Sequence, residues 1–72
     1  MEYLLVRFND EVREFIIDGE LRGWTNEVLE LEKGTHVIRL KGPPFDFAPP
    51  QIRIILEKTT RLSPQEVKFE KI

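Results

Sequence analysis

The segment REFIIDGELRGWTN, residues 13–26, places an alternating run directly before a glycine-containing turn. In EFII, Phe15 and Ile17 lie on one side of an extended chain and Glu14 and Ile16 lie on the other, which is typical of a half-buried strand. Asp18-Gly19 then predicts a tight turn, because both residue types tolerate a positive φ. Gly23 allows a second bend or a β-bulge, and Trp24 can lie across the edge of the structure. The segment therefore predicts a reversal of the chain and shows no catalytic chemistry.

Alternation with a period of two continues on both sides of this segment. Runs such as YLLVRF, HVIRL and IRIIL read as short strands, and Asn, Asp, Gly and Pro residues mark the turns between them. The predicted inward-facing core consists of Leu4, Val6, Phe8, Phe15, Ile17, Leu29, Leu31, Ile38, Leu40, Ile52, Ile54, Leu56 and Phe69.

This pattern predicts an all-β fold in a single domain, residues 1–72. We expect a small antiparallel β-sandwich, Ig-like or prealbumin-like, of about six or seven short strands. Two segments leave a helical alternative open. Ser63–Glu66 fits a capping box, although the following VKFEKI alternates and favours a strand. Asn26–Lys33 could form one or two helical turns, although a strand is favoured there too.

Gly42–Pro50, GPPFDFAPP, contains four of the five prolines. Proline cannot donate a hydrogen bond to a sheet, so this segment predicts a stiff loop or a crossover between sheets. Its two phenylalanines, Phe45 and Phe47, together with Trp24, are large apolar groups in predicted loops. They could stack on a sugar ring or enter a groove of a partner. The alternative is that both phenylalanines fold inward and close one end of the core.

A second candidate surface comes from apolar residues on the outward side of the predicted strands. If they adjoin on one sheet, they form a patch suited to self-association or to docking on another protein. The alternative is that they are scattered and partly covered by arginine and lysine stems. The outward set is Tyr3, Leu5, Ile16, Val37 and Ile55.

Composition narrows the classes of function. The 72 residues carry a formal net charge of −2 with both signs spread along the chain, which argues against binding to nucleic acid. The chain has no cysteine, which excludes a disulfide framework and a thiol nucleophile. No signal peptide or apolar run long enough to span a membrane is visible, so we expect a cytoplasmic location.

His36 is the only histidine and the natural candidate for a general base, with Asp18 or Glu32 as its partner. Nothing else marks such a pair, so we expect a structural histidine at the edge of the core. No hydroxyl lies in the setting of a nucleophile, and no carboxylates have the spacing of a metal site. We therefore predict neither enzymatic activity nor a metal or other cofactor.

One resemblance extends over about Arg13 to Lys41. The order Asp18-Gly19, Gly23-x-Thr25 and Leu31-x-x-Gly34-x-His36-x-Ile38-x-Leu40 resembles the PEGA domain. The name-giving tetrad is absent, and Asp10–Arg13 stands in its place. The resemblance implies a small β-sandwich module of the kind that recurs in surface-associated and multidomain proteins of bacteria and archaea. It implies no catalytic residues.

These observations favour a non-enzymatic interaction module that binds protein, possibly itself, through the outward apolar residues or a free sheet edge. The alternative function is a carbohydrate- or small-ligand-binding module that uses the loop aromatics.

Overall fold

The computed structural model describes all residues 1–72 and contains strands but no helix. The predicted all-β fold is confirmed, and both segments with a helical alternative form strands. None of the chain folds into a helix that could cross a membrane. The strands are β1 (Glu2–Phe8), β2 (Glu14–Ile17), β3 (Glu20–Trp24), β4 (Val28–Leu31), β5 (Gly34–Leu40), β6 (Phe47–Ala48), β7 (Ile52–Leu56) and β8 (Gln65–Lys71).

Two four-stranded sheets form the sandwich. Sheet 1 has the strand order β4-β1-β8-β6, and sheet 2 has the order β3-β2-β5-β7. The strands number eight rather than six or seven, and one pair is parallel: β8 runs alongside β1 from Leu4↔Gln65 to Phe8↔Phe69. The parallel pair arises because β8 follows β7, a strand of the other sheet, and enters sheet 1 between β1 and β6.

The β2–β3 hairpin confirms the predicted turn and bulge. Asp18 and Gly19 have φ values of 52° and 88°, as a two-residue turn with positive φ at both positions requires. The register shifts between Phe15 and Ile16, so that Arg22 becomes the extra residue of a β-bulge. Gly23 faces inward there, and an added Cβ would lie only 3.3 Å from the Phe15 ring.

The core lies between the two sheets and matches the predicted inward face closely. All predicted core residues are buried except Leu29, Ile52 and Ile54, which are partly buried and pack against the core. Two further residues, Val67 and Phe47, complete it. Each large apolar side chain removed from water in this way contributes about 1.5–3 kcal/mol.

The proline-rich segment crosses from sheet 2 to sheet 1 and back, as a crossover was predicted to do. Its short strand β6 pairs with the end of β8, Phe47↔Lys71 and Ala48↔Glu70. The Phe47 ring meets Phe8 and Phe69 edge-on, at centroid distances of 6.4 and 5.8 Å. Phe47 thus closes one end of the core.

Thr25 is the one buried polar residue, and it holds the β1–β2 connection in place. Its Oγ1 accepts a hydrogen bond from the Arg13 N–H at 2.9 Å and donates one to the Glu11 carbonyl at 2.8 Å. The next residue, Asn26, donates its backbone N–H to the Val6 carbonyl at 2.7 Å. These bonds satisfy backbone groups that burial would otherwise leave unpaired.

Candidate functional site

The outer face of sheet 2 carries a continuous row of apolar side chains. Leu21 on β3 lies directly opposite Ile16 on β2. Val37 on β5 is one diagonal step from Ile16, and Ile55 on β7 is one diagonal step from Val37. Diagonal neighbours in a sheet are about 7–8 Å apart, within reach of long side chains. We call these four residues the apolar stripe, and it runs from one edge of the sheet to the other.

The two ends of the apolar stripe are open to solvent. Leu21 is 53% exposed and Ile55 is 67% exposed, while Ile16 and Val37 in the middle are half-buried. Trp24 lies on the same face, since it pairs with Glu14, and is 48% exposed. The structure therefore brings together four of the residues singled out from sequence.

Cations flank the apolar stripe on the same face. Lys41 makes a 3.5 Å ion pair with Glu14, but Arg39 and Arg53 have no ion-pair partner within the chain. The three cations Arg39, Lys41 and Arg53 outnumber the two anions Glu14 and Glu57 on this face, although the chain as a whole has a net charge of −2. A surface that combines exposed aliphatic groups with unpaired guanidinium groups suits a partner that offers apolar side chains and carboxylates.

Tyr3 and Leu5 do not belong to this surface, so the outward residues, which would form one patch only if they adjoined on one sheet, are divided between the two sheets. Both lie on the outer face of sheet 1, where Leu5 pairs with Val28 and is only 9% exposed. The Arg61 guanidinium lies over the Tyr3 ring, 5.8 Å from its centroid. Of the outward apolar side chains on the β1–β4 pair, only Val28 stays largely exposed, at 46%.

The loop aromatics differ in exposure, although the Phe45 and Phe47 rings are neighbours with a centroid distance of 6.3 Å. Phe47 is only 8% exposed, so it is part of the core and is not free to bind a ligand. Phe45 is 71% exposed, and its ring lies where a side chain on residue 42 would have to be, so Gly42 is needed for this placement. Beside Phe45 is an open hollow of about 400 Å³, bordered by Arg39 and Pro50. Trp24 lies on β3 and makes no ring contact with either phenylalanine.

A network of charged side chains fixes the segment that carries Phe45. The Arg13 guanidinium donates to Asp46 Oδ1 at 2.7 Å, to Glu11 Oε2 at 2.6 Å and to the Pro44 carbonyl at 3.0 Å. Hydrogen bonds with Arg13 lower the pKa of the Asp46 carboxyl. The hydrogen bond from Lys71, followed by that from Arg13, lowers the pKa of Glu11. Cation and anion numbers balance in this network, so it anchors the loop and leaves no charge for a partner.

His36 joins the β2–β3 turn to the β4–β5 connection at the opposite end of the sandwich. Its Nδ1 lies 2.7 Å from Asp18 Oδ2, and its Nε2 lies 2.8 Å from the Glu32 carbonyl. Both neighbours are acceptors, so only the protonated ring can donate to both. Partial burial lowers the pKa of His36, but the hydrogen bonds to Asp18 and Glu32 outweigh it and the pKa is raised.

An open hollow of about 330 Å³ adjoins His36, lined also by Glu20 and Arg22. No hydroxyl or amine side chain lines this hollow, and both nitrogens of the imidazole are already hydrogen bonded. No group of His, Asp and Glu side chains has an arrangement that suits a metal ion. The visible role of His36 is to hold two connections together, in agreement with the structural role expected from sequence.

The sequence pattern did not reveal three parts of the surface on sheet 2. Leu21 has no predictable face, because the glycines on both sides of ELR indicate a turn rather than a strand. Arg39 and Arg53 were visible as the polar partners in alternating strands, but their lack of a counter-ion depends on the order of strands in the sheet. The sequence signal for the position of Leu21 was Gly23, which allows a β-bulge, because the bulge places Leu21 opposite Ile16.

Comparison of the chain with known protein families, characterised proteins and solved structures found no match. The resemblance to the PEGA domain therefore stays a prediction.

Proposed function

We propose that this protein is a non-enzymatic interaction module that binds an acidic, partly apolar protein surface on the outer face of sheet 2. The observation that supports the proposal is the apolar stripe, which is exposed at both ends and flanked by Arg39 and Arg53 without counter-ions. The outer face of sheet 1 offers a smaller apolar surface, because Leu5 is buried, Arg61 lies over the Tyr3 ring, and Val28 is the one exposed apolar side chain of the β1–β4 pair.

The charges define the chemistry of the partner. Covering Arg39 and Arg53 with an apolar surface would remove two cations from water without compensation, which costs free energy. A carboxylate can accept two parallel hydrogen bonds from a guanidinium group, so acidic side chains satisfy these residues best. Two copies meeting face to face through this surface would instead place cations against cations. An acidic partner therefore fits better than a symmetric face-to-face dimer.

A library of displayed random peptides tests this proposal. We expect selected peptides to combine Asp or Glu with aliphatic residues. Leu21→Glu and Arg39→Glu should each weaken their binding about tenfold or more, since each removes one anchor and introduces a repulsive charge. Val28→Glu, an exposed position on the other sheet, is the matched control and should leave binding unchanged. Selected peptides that bind Leu21→Glu and Val28→Glu equally well would contradict the proposal.

The exposed Phe45 ring supports a second candidate function, binding of a carbohydrate. A planar ring beside a hollow with polar groups at its border is a common arrangement for stacking on a sugar. A glycan array with wild type and Phe45→Ala tests it. Binding of a glycan by wild type that is lost in Phe45→Ala is the expected result, and an array without signal would eliminate this candidate.

A further inference from the structure

β7 is an edge strand of sheet 2 that has less protection against pairing with another strand than the other three edge strands have. Among the other edges, β3 is interrupted by the bulge at Arg22, β4 carries Glu30 within its four residues, and β6 has only two residues before Pro49. Prolines, bulges, charges and short length are the usual devices that prevent edge-to-edge pairing. Ile52–Leu56 is a regular strand of five residues without glycine, proline or bulge, and Arg53 is its one charged residue.

The outward side chains of this edge show a self-complementary pattern. Ile55 is the most exposed apolar side chain of the strand, at 67%. Arg53 lies two residues before it on the same face. Glu57 directly follows the last residue of the strand, two residues after Ile55, and an extended chain continued by one residue places it on that face too. Neither Arg53 nor Glu57 has an ion-pair partner within the chain. When two copies of this strand lie antiparallel, the cation of each lies opposite the anion of the other, and the aliphatic residues lie opposite each other.

We infer that two copies of this chain pair through their β7 edges, antiparallel about a two-fold axis at Ile55. In this register Ile55 faces Ile55 of the second copy, and Arg53 faces Glu57 of the second copy on each side of the axis. Cross-strand pairs of opposite charge stabilise a sheet, as do aliphatic pairs. Sheet 2 of one copy and sheet 2 of the other copy, each of four strands, then form one continuous sheet of eight strands.

Other symmetric registers fit less well. An axis at Arg53 places the two arginines directly opposite each other, which is destabilising. An axis at Ile54 places Arg53 opposite Ile55, and no pair of opposite charge forms. The register at Ile55 also sets Ile54 against Leu56 of the second copy on the inner face. Ile54 is only partly buried within one chain, so the pairing adds cover to the edge of the core.

This inference goes beyond the proposed function and does not rest on it, because it concerns the backbone edge rather than the sheet face. The two share Arg53: in the dimer it is paired with Glu57 of the second copy, and Arg39 remains the guanidinium without a counter-ion for an acidic partner. Ile55 is the last residue of the apolar stripe, so edge pairing joins the stripes of two copies end to end.

Charge exchange at Arg53 and Glu57 tests the pairing and its register together. Sedimentation equilibrium of the full chain across a dilution series should show a monomer–dimer equilibrium. Arg53→Glu and Glu57→Arg should each weaken the dimer on the order of tenfold or more, because each replaces two attractive pairs with two repulsive ones. The double variant R53E/E57R should restore it to near the wild-type level. Glu30→Arg, on the outer face of sheet 1, is the control and should not change it.

Three results would overturn the inference: a wild-type monomer at every concentration, single variants that dimerise like wild type, or a double variant as weak as the singles. Both positions are exposed, and circular dichroism should show the same β spectrum for all variants. The result is independent of the peptide selection, since Leu21→Glu lies at the far edge of the sheet and should dimerise normally. Failure of one proposal can therefore be distinguished from failure of the other.

Discussion

The two ends of the sandwich are closed by polar contacts of different kinds. At one end, Arg13, Asp46 and Lys71 form ion pairs whose members keep their charges throughout the neutral pH range. At the other end, His36 links two connections through two hydrogen bonds, and it can donate both of them only when its ring is protonated. The first end combines this network with the aromatic plug of Phe47, whereas the second has no buried aromatic in its link. The stability of one end therefore depends on packing and on charges that do not titrate near neutral pH, and the stability of the other end depends on a titrating group.

The largest expected effect comes from removing the plug at the Arg13 end. Phe47→Ala should lower the free energy of unfolding by about 3–5 kcal/mol, because it leaves a cavity against Phe8 and Phe69. Such a loss is a large part of the roughly 4–11 kcal/mol expected for a domain of this size. Urea unfolding measures it. Phe45→Ala is the matched control: its ring is exposed, and we expect a change of about 0.5 kcal/mol or less.

Equal losses from Phe45→Ala and Phe47→Ala would show that the plug is not specific to Phe47. Packing by a buried aromatic ring would then not distinguish the Arg13 end of the sandwich from the His36 end.

Thr25→Val should give the next largest effect at the same end. The substitution keeps the shape of the side chain but leaves the Arg13 N–H without its partner, and it leaves the Glu11 carbonyl with only the longer hydrogen bond from Asn26 Nδ2, at 3.3 Å. Leaving buried groups unsatisfied costs about 1–3 kcal/mol, which thermal unfolding can detect. Thr35→Val, at an exposed position on β5, provides the control. A destabilisation that is no greater at Thr25 than at Thr35 would contradict the role given to the hydroxyl.

These two predictions also mark what the sequence could and could not reveal. The Asp18-Gly19 turn was predictable because its cause is local: two residues in sequence determine the backbone conformation. The two faces of β1, β2 and β5 followed from alternation alone. Which of Phe45 and Phe47 is buried could not be predicted in this way. Alternation does not apply in a proline-rich crossover, and their burial depends on where β8 ends.

The candidate surface on sheet 2 was predictable only in part. Ile16, Val37 and Ile55 could be assigned to outward faces, but whether they adjoin Tyr3 and Leu5 depends on which strands share a sheet. That assignment is a long-range property of the chain. The parallel pairing of the first and last strands is another, since no local signal in either strand indicates its partner.

The smallest expected effect is at the His36 end, and it depends on pH. The pKa of His36 is raised in the folded protein above its ordinary value of 6.5. Its contribution to stability is therefore fully present below about pH 6.5 and is lost as the pH rises through the folded-state pKa. The melting temperature should fall by on the order of a few degrees between pH 6 and 8.5. His36→Gln should abolish this part of the pH dependence.

The Arg13 end should not contribute in that window. The pKa values of Asp46 and Glu11 are lowered from 3.8 and 4.5, so their stabilisation is present above those values and is lost only as the pH falls below them. A melting temperature that changes equally in wild type and His36→Gln between pH 6 and 8.5 would remove the distinction between the two ends.

The parallel pairing of β1 with β8 has a mechanical consequence. Because the two strands run in the same direction, Glu2 and Lys71 lie at opposite ends of the molecule. A pull applied to these two residues therefore acts along the strands, and it loads the hydrogen bonds between Leu4↔Gln65 and Phe8↔Phe69 in shear. They must break together rather than one after another, so the protein should resist stretching along this axis more than peeling at an edge.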